Sequence, residues 1–276
     1  MKKILFGGLL SSVLVLAGCS GIKQSEQPST QFDEQALSAF VWQLDKVQQP
    51  SSSAAQSSAA AQQADLPQAP ATMRPFELLF SPEQRVGVQG LCNTLSGGYS
   101  LKGDEIAIQQ MISTRMMCSD ESLMQLENYV GQVLPAAQQW SVQGLELDSK
   151  QWANATPVLK LIFSNGMQWQ LQGQPTAETR FGQAGETSFL EVQPTLEACK
   201  AQDGDCYTVR QLQYNEQGLQ TTTGPWMQIS TQQLQGFVPE PNVQSVIRTQ
   251  RYTEKGTAGE ERPVYVFDML VESERL

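Results

Sequence analysis

Apolar residues alternate with polar ones over most of residues 75–173. Phe76, Leu78 and Phe80 follow this rule, as do Val86 and Val88, Tyr99 and Leu101, Ile106 and Ile108, Leu145 and Leu147, and Leu159, Leu161 and Phe163. A period of two buries one face of a segment and wets the other, which predicts half-buried antiparallel strands. The stretch "LKLIFSNGMQWQL" adds a hairpin. Asn165 and Gly166 can supply the two positive-φ residues of a tight turn, after which Met167, Trp169 and Leu171 resume the alternation. One helix interrupts the strands. In "SDESLMQLENYVGQVL", Ser119 stands as N-cap with Asp120 and Glu121 in the first turn. Leu123, Leu126, Val130, Val133 and Leu134 then recur at helical spacing until Pro135 ends the run. Such a stripe predicts a core-facing helix.

Two weak zones frame an isolated segment upstream. Residues 20–35 are polar and contain Pro28; residues 48–73 are rich in Ser, Ala, Gln and Pro and lack apolar bulk. Between them "FVWQLDKV", residues 40–47, alternates as a strand does. A lone strand is unstable, so this one is expected to pair with something beyond Met73, making the Ser/Ala run an insertion within a domain. After Gly173 the turn-rich "QPTAETRFGQAGET" predicts a linker over residues 174–188. The remainder, 189–276, again predicts strands in "FLEVQP", "CYTVRQLQY", "PWMQIS", "SVIRTQRYT" and "PVYVFDMLVES". The expected fold class is α+β: two small, mainly antiparallel β domains, the first with one packed helix.

The amino terminus changes the picture. Lys2 and Lys3 precede an apolar run from Ile4 to Ala17, shorter than the roughly twenty residues needed to span a bilayer and laid out as a secretory signal. Leu16-Ala17-Gly18-Cys19 resembles a bacterial lipobox, in which the cysteine is lipidated before cleavage. That implies a signal peptide at 1–18, a mature chain starting at Cys19 and a tether over 19–35. Two or three acyl chains, at about 0.8 kcal/mol per buried CH₂, anchor a protein stably. Ser20, by resemblance to Gram-negative lipoproteins, implies passage to the outer membrane, facing the periplasm.

Charge and composition narrow the chemistry. Loss of Lys2 and Lys3 takes the 18 basic residues to 16 against 28 acidic ones. A polyanion repels nucleic acid and anionic lipid headgroups, so no nucleic-acid partner is expected. There is no histidine, which excludes Ser-His-Asp and Cys-His catalysis and histidine-ligated zinc. Five cysteines become four once Cys19 is committed to lipid, and in an oxidising periplasm four read as two disulfides with three possible connectivities. Pairing Cys92 with Cys118 and Cys199 with Cys206 keeps each bridge within one segment. The competing reading, a metal site or reactive thiol, lacks a CxxC or a histidine partner.

"FVWQL" at 40–44, "GLCNTLSGGY" at 90–99 and "STRMMCSDE" at 113–121 together resemble a META domain, the module of the HslJ heat-shock family. The resemblance covers residues 36–173 with the insertion at about 48–73. Leu91 between Gly90 and Cys92, and the insertion itself, depart from the family pattern. The second segment is similar to a small domain of unknown function that often follows META domains in bacterial lipoproteins. Cys199, "CYTVR" at 206–210, Trp226 and "LQGFVPEP" at 234–241 carry that likeness. The two resemblances imply an α+β fold without known catalytic residues, and a link to envelope or heat stress and antibiotic tolerance.

Four constellations are candidates for chemistry. Asn93 with Gly97 and Gly98 suggests a glycine-rich turn whose amides form an anion nest, against a plain tight turn in which glycines permit positive φ. Asp203 and Asp205 around Gly204 suggest calcium, but the six or more oxygens of a calcium loop are missing, and a turn closing a disulfide is the alternative. Asp120, Glu121 and Glu127 suggest paired carboxylates, against helix capping and a solvated face. Ser113, Thr114 and Arg115 suggest a nucleophile beside a cation, with no general base identified nearby. The reading that follows is a lipid-anchored, non-enzymatic binding or envelope-integrity protein without cofactor or metal. Its partners are the membrane, through the anchor, and an envelope protein or a peptide added to a strand edge. The alternative is a periplasmic hydrolase or transferase using Asp/Glu or a thiol.

Overall fold

The computed structural model describes residues 30–49, 70, 75–115, 118–146, 148–200, 204–256 and 259–276, with side chains from residue 34 onward. Cys19, the signal segment, nearly all of the insertion, Leu147 and Asp203 lie outside them.

The alternating segments become strands that close on themselves. Helix α1 (Thr30–Ala39) runs directly into β1 (Phe40–Gln48), followed by β2 (Glu77–Ser81), β3 (Arg85–Gln89), β4 (Leu95–Lys102), β5 (Glu105–Ile108) and β6 (Ile112–Ser113). Helix α2 (Glu121–Val133) then leads to β7 (Ala137–Gln143), β8 (Val158–Phe163) and β9 (Gln168–Pro175). The order is β3-β2-β1-β9-β8-β7-β5-β4, and β4 pairs back onto β3, so eight strands form a ring with β6 attached to β4 outside it. The ring closes most narrowly between β5 and β7, which share one register pair, Glu105 opposite Gln139. Inward positions are filled by Phe40, Trp42, Leu78, Phe80, Val86, Val88, Leu159, Leu161, Phe163, Trp169 and Leu171. Leu126, Tyr129, Val130 and Val133 of α2 join the same core, which makes the interior a packed core rather than a pore.

β1 meets its expected partner. Trp42 lies opposite Leu78 of β2 on one side and Gly173 of β9 on the other, so the insertion connects two strands that are neighbours in the ring. Gly173 is there for space: a Cβ would stand 2.8 Å from both Pro157 Cγ and Trp42 Cζ3.

Several local expectations need correction. The N-cap of α2 is Asp120, not Ser119; its Oδ1 accepts from the backbone N–H groups of Ser122 (3.0 Å) and Leu123 (3.4 Å), and from the Ser122 hydroxyl. At the hairpin only Gly166 has positive φ (83°). Gly166 N–H donates to Phe163 O, and Asn165 Oδ1 accepts from Met167 N–H at 2.9 Å, which is a three-residue loop with an αL glycine. Leu145 is not in a strand, because Gly144 (φ 81°) bends the chain out of β7 first. The stretch expected as tether already holds the first six residues of α1 by residue 35, and Ala36 and Leu37 are fully buried. Residues 174–188 hold the end of β9, a short helix α3 (Ala177–Phe181) and the first residues of β10 (Glu186–Ala198).

The second sheet continues with β11 (Asp205–Tyr214), β12 (Gln220–Thr223), β13 (Met227–Ser230), β14 (Leu234–Gln235), β15 (Val243–Lys255) and β16 (Glu261–Arg275). Its order is β12-β11-β10-β15-β16-β14, with β13 also on β11. β13 and β14 sit at opposite ends of this order yet are joined by one turn, in which Gln233 N–H donates to Ser230 O. The sheet therefore curls around its own small core, which includes Leu190, Val192, Val209, Ile229, Phe237 and Ile247. The fold is mostly antiparallel β with few helices, in two β units, as the alternation predicts.

Candidate functional site

The motif residues of the first unit gather where β4, β6 and α2 meet. Glu127, on α2, accepts at Oε2 from the Asn93 backbone N–H (2.7 Å) and from the Asn93 amide (3.1 Å), and at Oε1 from the Ser113 hydroxyl (2.6 Å). The Thr114 hydroxyl donates to Asn93 Oδ1 at 3.1 Å, and Thr114 N–H to Thr94 O at 3.2 Å. Cys92 is bonded to Cys118 beside this network. A helix, a turn and a short strand are thus tied by one carboxylate and one disulfide.

This geometry revises the expected binding turn. Asn93 does sit in a turn, but Gly97 and Gly98 are inside β4 and lack positive φ, so the three residues form no common anion nest. The glycines serve close approach: a Cβ on Gly97 would lie 2.8 Å from Met111 Sδ, and one on Gly98 2.6 Å from Gln109 Oε1. The amide of Asn93 already faces an anion, the protein's own Glu127. Asp120 caps α2 and Glu127 clamps Asn93, so the helix carboxylates do not converge. Ser113 has a carboxylate partner after all, missed in the sequence because Glu127 is fourteen residues away. That carboxylate is shared with both N–H donors of Asn93. Asp205 begins β11 and Gly204 takes φ 104° where the chain turns into it. Cys199 is bonded to Cys206 across that turn, so both expected pairings are present. Among the described residues no group of three or more His, Cys, Asp or Glu side chains is placed to hold a metal.

The second unit carries a charged and aromatic cluster. Glu191 of β10 lies opposite Arg210 of β11, and the two form a bidentate pair, Nε to Oε2 at 2.5 Å and Nη2 to Oε1 at 3.0 Å. Gln244 of β15 also donates to Glu191. Trp226, 40% exposed, lies over the Arg210 guanidinium at 4.5 Å, and the hydrogen bonds that Arg210 donates to Glu191 raise its pKa further. Phe189 stacks edge-on with Tyr214 on the same sheet face at 4.8 Å. Glu191 carries no sequence signal, since an acidic residue in a strand reads as solvent-facing until its cross-strand partner is known. At the far edge, Met269, Leu270 and Val271 of β16 are 43%, 48% and 39% exposed. This unit thus presents aromatic and apolar groups set among ion pairs.

A closed antiparallel barrel with a helix packed against its core by one face, stapled by a disulfide at a Gly-Leu-Cys-Asn turn, defines the class of the first unit. Residues 35–161 match the META domain family, and this region is a META domain. Strand β9, which completes the ring between β8 and β1, lies beyond the matched residues. No curated protein matches the chain. Among solved structures, an NMR structure of a protein from Burkholderia xenovorans aligns at 20% identity and a TM-score of 0.35, covering 58% of this chain and 99% of that one. A second NMR structure aligns at 16% identity and a TM-score of 0.26, covering 50% of this chain and 92% of that one.

Proposed function

We propose that this chain is an outer-membrane lipoprotein of the HslJ-like kind, anchored through Cys19, that acts in the periplasm by binding rather than by catalysis and supports envelope integrity under heat or antibiotic stress. One observation carries the reading. The chain has five cysteines and four are in two bridges, so the remaining one is Cys19, the residue at the lipobox position. The same bridges leave the two β units without a thiol for catalysis. The domain following the META unit is the small domain of unknown function common in such lipoproteins.

The test is fractionation of cells expressing the full chain after metabolic labelling with palmitate, beside a Cys19→Ser variant. The wild type should carry label and sediment with outer membrane, while the variant should be unlabelled, soluble and folded. A variant still labelled and still membrane-bound would end the proposal.

A further inference from the structure

We infer that the outer edge of β16 over residues 267–275 is a docking site for an extended peptide segment with three apolar residues at its centre and Lys or Arg on its flanks. The inference rests on the reading of this chain as a binding protein and names the partner's chemistry. β16 is covered by β15 along its whole length, but on its other side β14 pairs only with Tyr265 and Val266. Beyond that point no pairing strand follows among the described residues, and every residue from Asp268 to Leu276 is exposed. An edge of this kind presents unpaired backbone donors and acceptors to an incoming strand.

The side chains indicate what that strand carries. Met269, Leu270 and Val271 are consecutive, so apolar surface appears on both faces of β16, the pattern of a strand covered on both sides. Around them Asp268 is paired with Arg248 at 2.6 Å, whereas Glu272 and Glu274 make no ion pair among the described residues. A cationic flank on the incoming segment would meet these two carboxylates, and the acidic chain as a whole, net −10, steers a basic segment toward it.

A second copy of the chain is the wrong occupant. Antiparallel self-pairing centred on Leu270 matches the apolar residues but sets Asp268 against Glu272. The register that brings Asp268 opposite Arg275 sets Met269, Leu270 and Val271 against Glu274, Ser273 and Glu272. Like charges opposite one another, or apolar opposite charged, destabilise a strand pair. β16 is also bulged: Asp268 and Val271 have no partner in the register with β15. Bulges increase the local twist, which a single extended peptide can follow and a second bulged sheet edge does not match.

The test uses the detergent-solubilised full chain and two fluorescein-labelled peptides that share a Val-Ile-Val centre and differ in Lys or Glu flanks. Binding is read by anisotropy, and its place by hydrogen exchange. The Lys-flanked peptide should bind and protect amides within 267–275. The double substitution Glu272→Lys and Glu274→Lys, both at exposed positions, should weaken it by roughly tenfold and reverse the preference between the peptides. Val271→Pro tests the edge without changing charge, and should abolish protection. Equal binding of both peptides, protection elsewhere, no binding at all, or a dimer in sedimentation that Leu270→Lys dissolves would each overturn the inference. None of these outcomes touches the labelling and fractionation result, so the two proposals fail separately.

Discussion

Glu127 holds Asn93 by two N–H groups at once, the backbone amide at 2.7 Å and the side-chain amide at 3.1 Å, across thirty-four residues of sequence. Its other oxygen takes the Ser113 hydroxyl. Removing the carboxylate strands a half-buried backbone N–H, which costs about 1–3 kcal/mol, whereas a glutamine retains one acceptor. Glu127→Ala should therefore lower the urea midpoint clearly and Glu127→Gln by less than half as much. Equal losses would show that packing, not the hydrogen bonds, is what α2 contributes here.

Two of the crowded glycine sites, Gly173 and Gly98, should respond differently to one methyl group. At Gly173 the added Cβ meets Pro157 and Trp42, rigid rings in the core, at 2.8 Å. At Gly98 it meets the end of the Gln109 side chain, which can swing away. Overpacking in a core costs about 1–3 kcal/mol, so Gly173→Ala should fall in that range, with Gly98→Ala below it. Denaturant unfolding of the two variants checks the order.

These two sites also mark how far the sequence speaks. Alternation identified the strands because each has one wet and one dry face, and it placed Trp42, Phe76, Leu161 and Trp169 in the core correctly. It carried no information on closure, because the pairing of β1 with β9 and of β5 with β7 joins residues far apart in the chain. A Gly-Gly pair reads as a turn by default. Gly97 and Gly98 are in a strand because residues 109–111 pass close over them, a tertiary fact. Asp120 displaced Ser119 as the cap because both residue types cap well and only backbone direction separates them. The Glu127 clamp was illegible for the same reason as the Glu191–Arg210 pair: each partner looks like an ordinary surface residue until the fold joins them.

The bridges close loops of different length, with sequence separations of 26 for Cys92–Cys118 and 7 for Cys199–Cys206. On the chain-entropy account these contribute about 3.5 and about 2.5 kcal/mol. Replacing Cys92 and Cys118 together by alanine should cost more than replacing Cys199 and Cys206 together. Thermal unfolding of both double variants measures the difference, and thiol titration of the denatured, unreduced wild type should find no free sulfhydryl.

Alkali should unfold this protein through its tyrosines. Burial raises the pKa of Tyr99, Tyr129 and Tyr207, with Glu34 and Glu83 adding to the rise at Tyr99 and Trp169 opposing it at Tyr129. Each hydroxyl donates a hydrogen bond that ionisation removes: Tyr99 to Ser81 O, Tyr129 to Met167 Sδ and Tyr207 to Phe237 O. A pKa raised on folding favours the protonated phenol in the native state. The associated stability is complete below the unfolded value of about 10 and is lost as pH rises through the folded values. Near-ultraviolet circular dichroism should thus be flat to about pH 9, and the phenolate absorbance that these three tyrosines contribute should rise late, together with loss of the native signal. Tyr207→Phe removes one titrating group but leaves Phe237 O without its donor, so it should lower stability at neutral pH while flattening the alkaline fall. Ionisation of Tyr99, Tyr129 and Tyr207 without unfolding would contradict their burial.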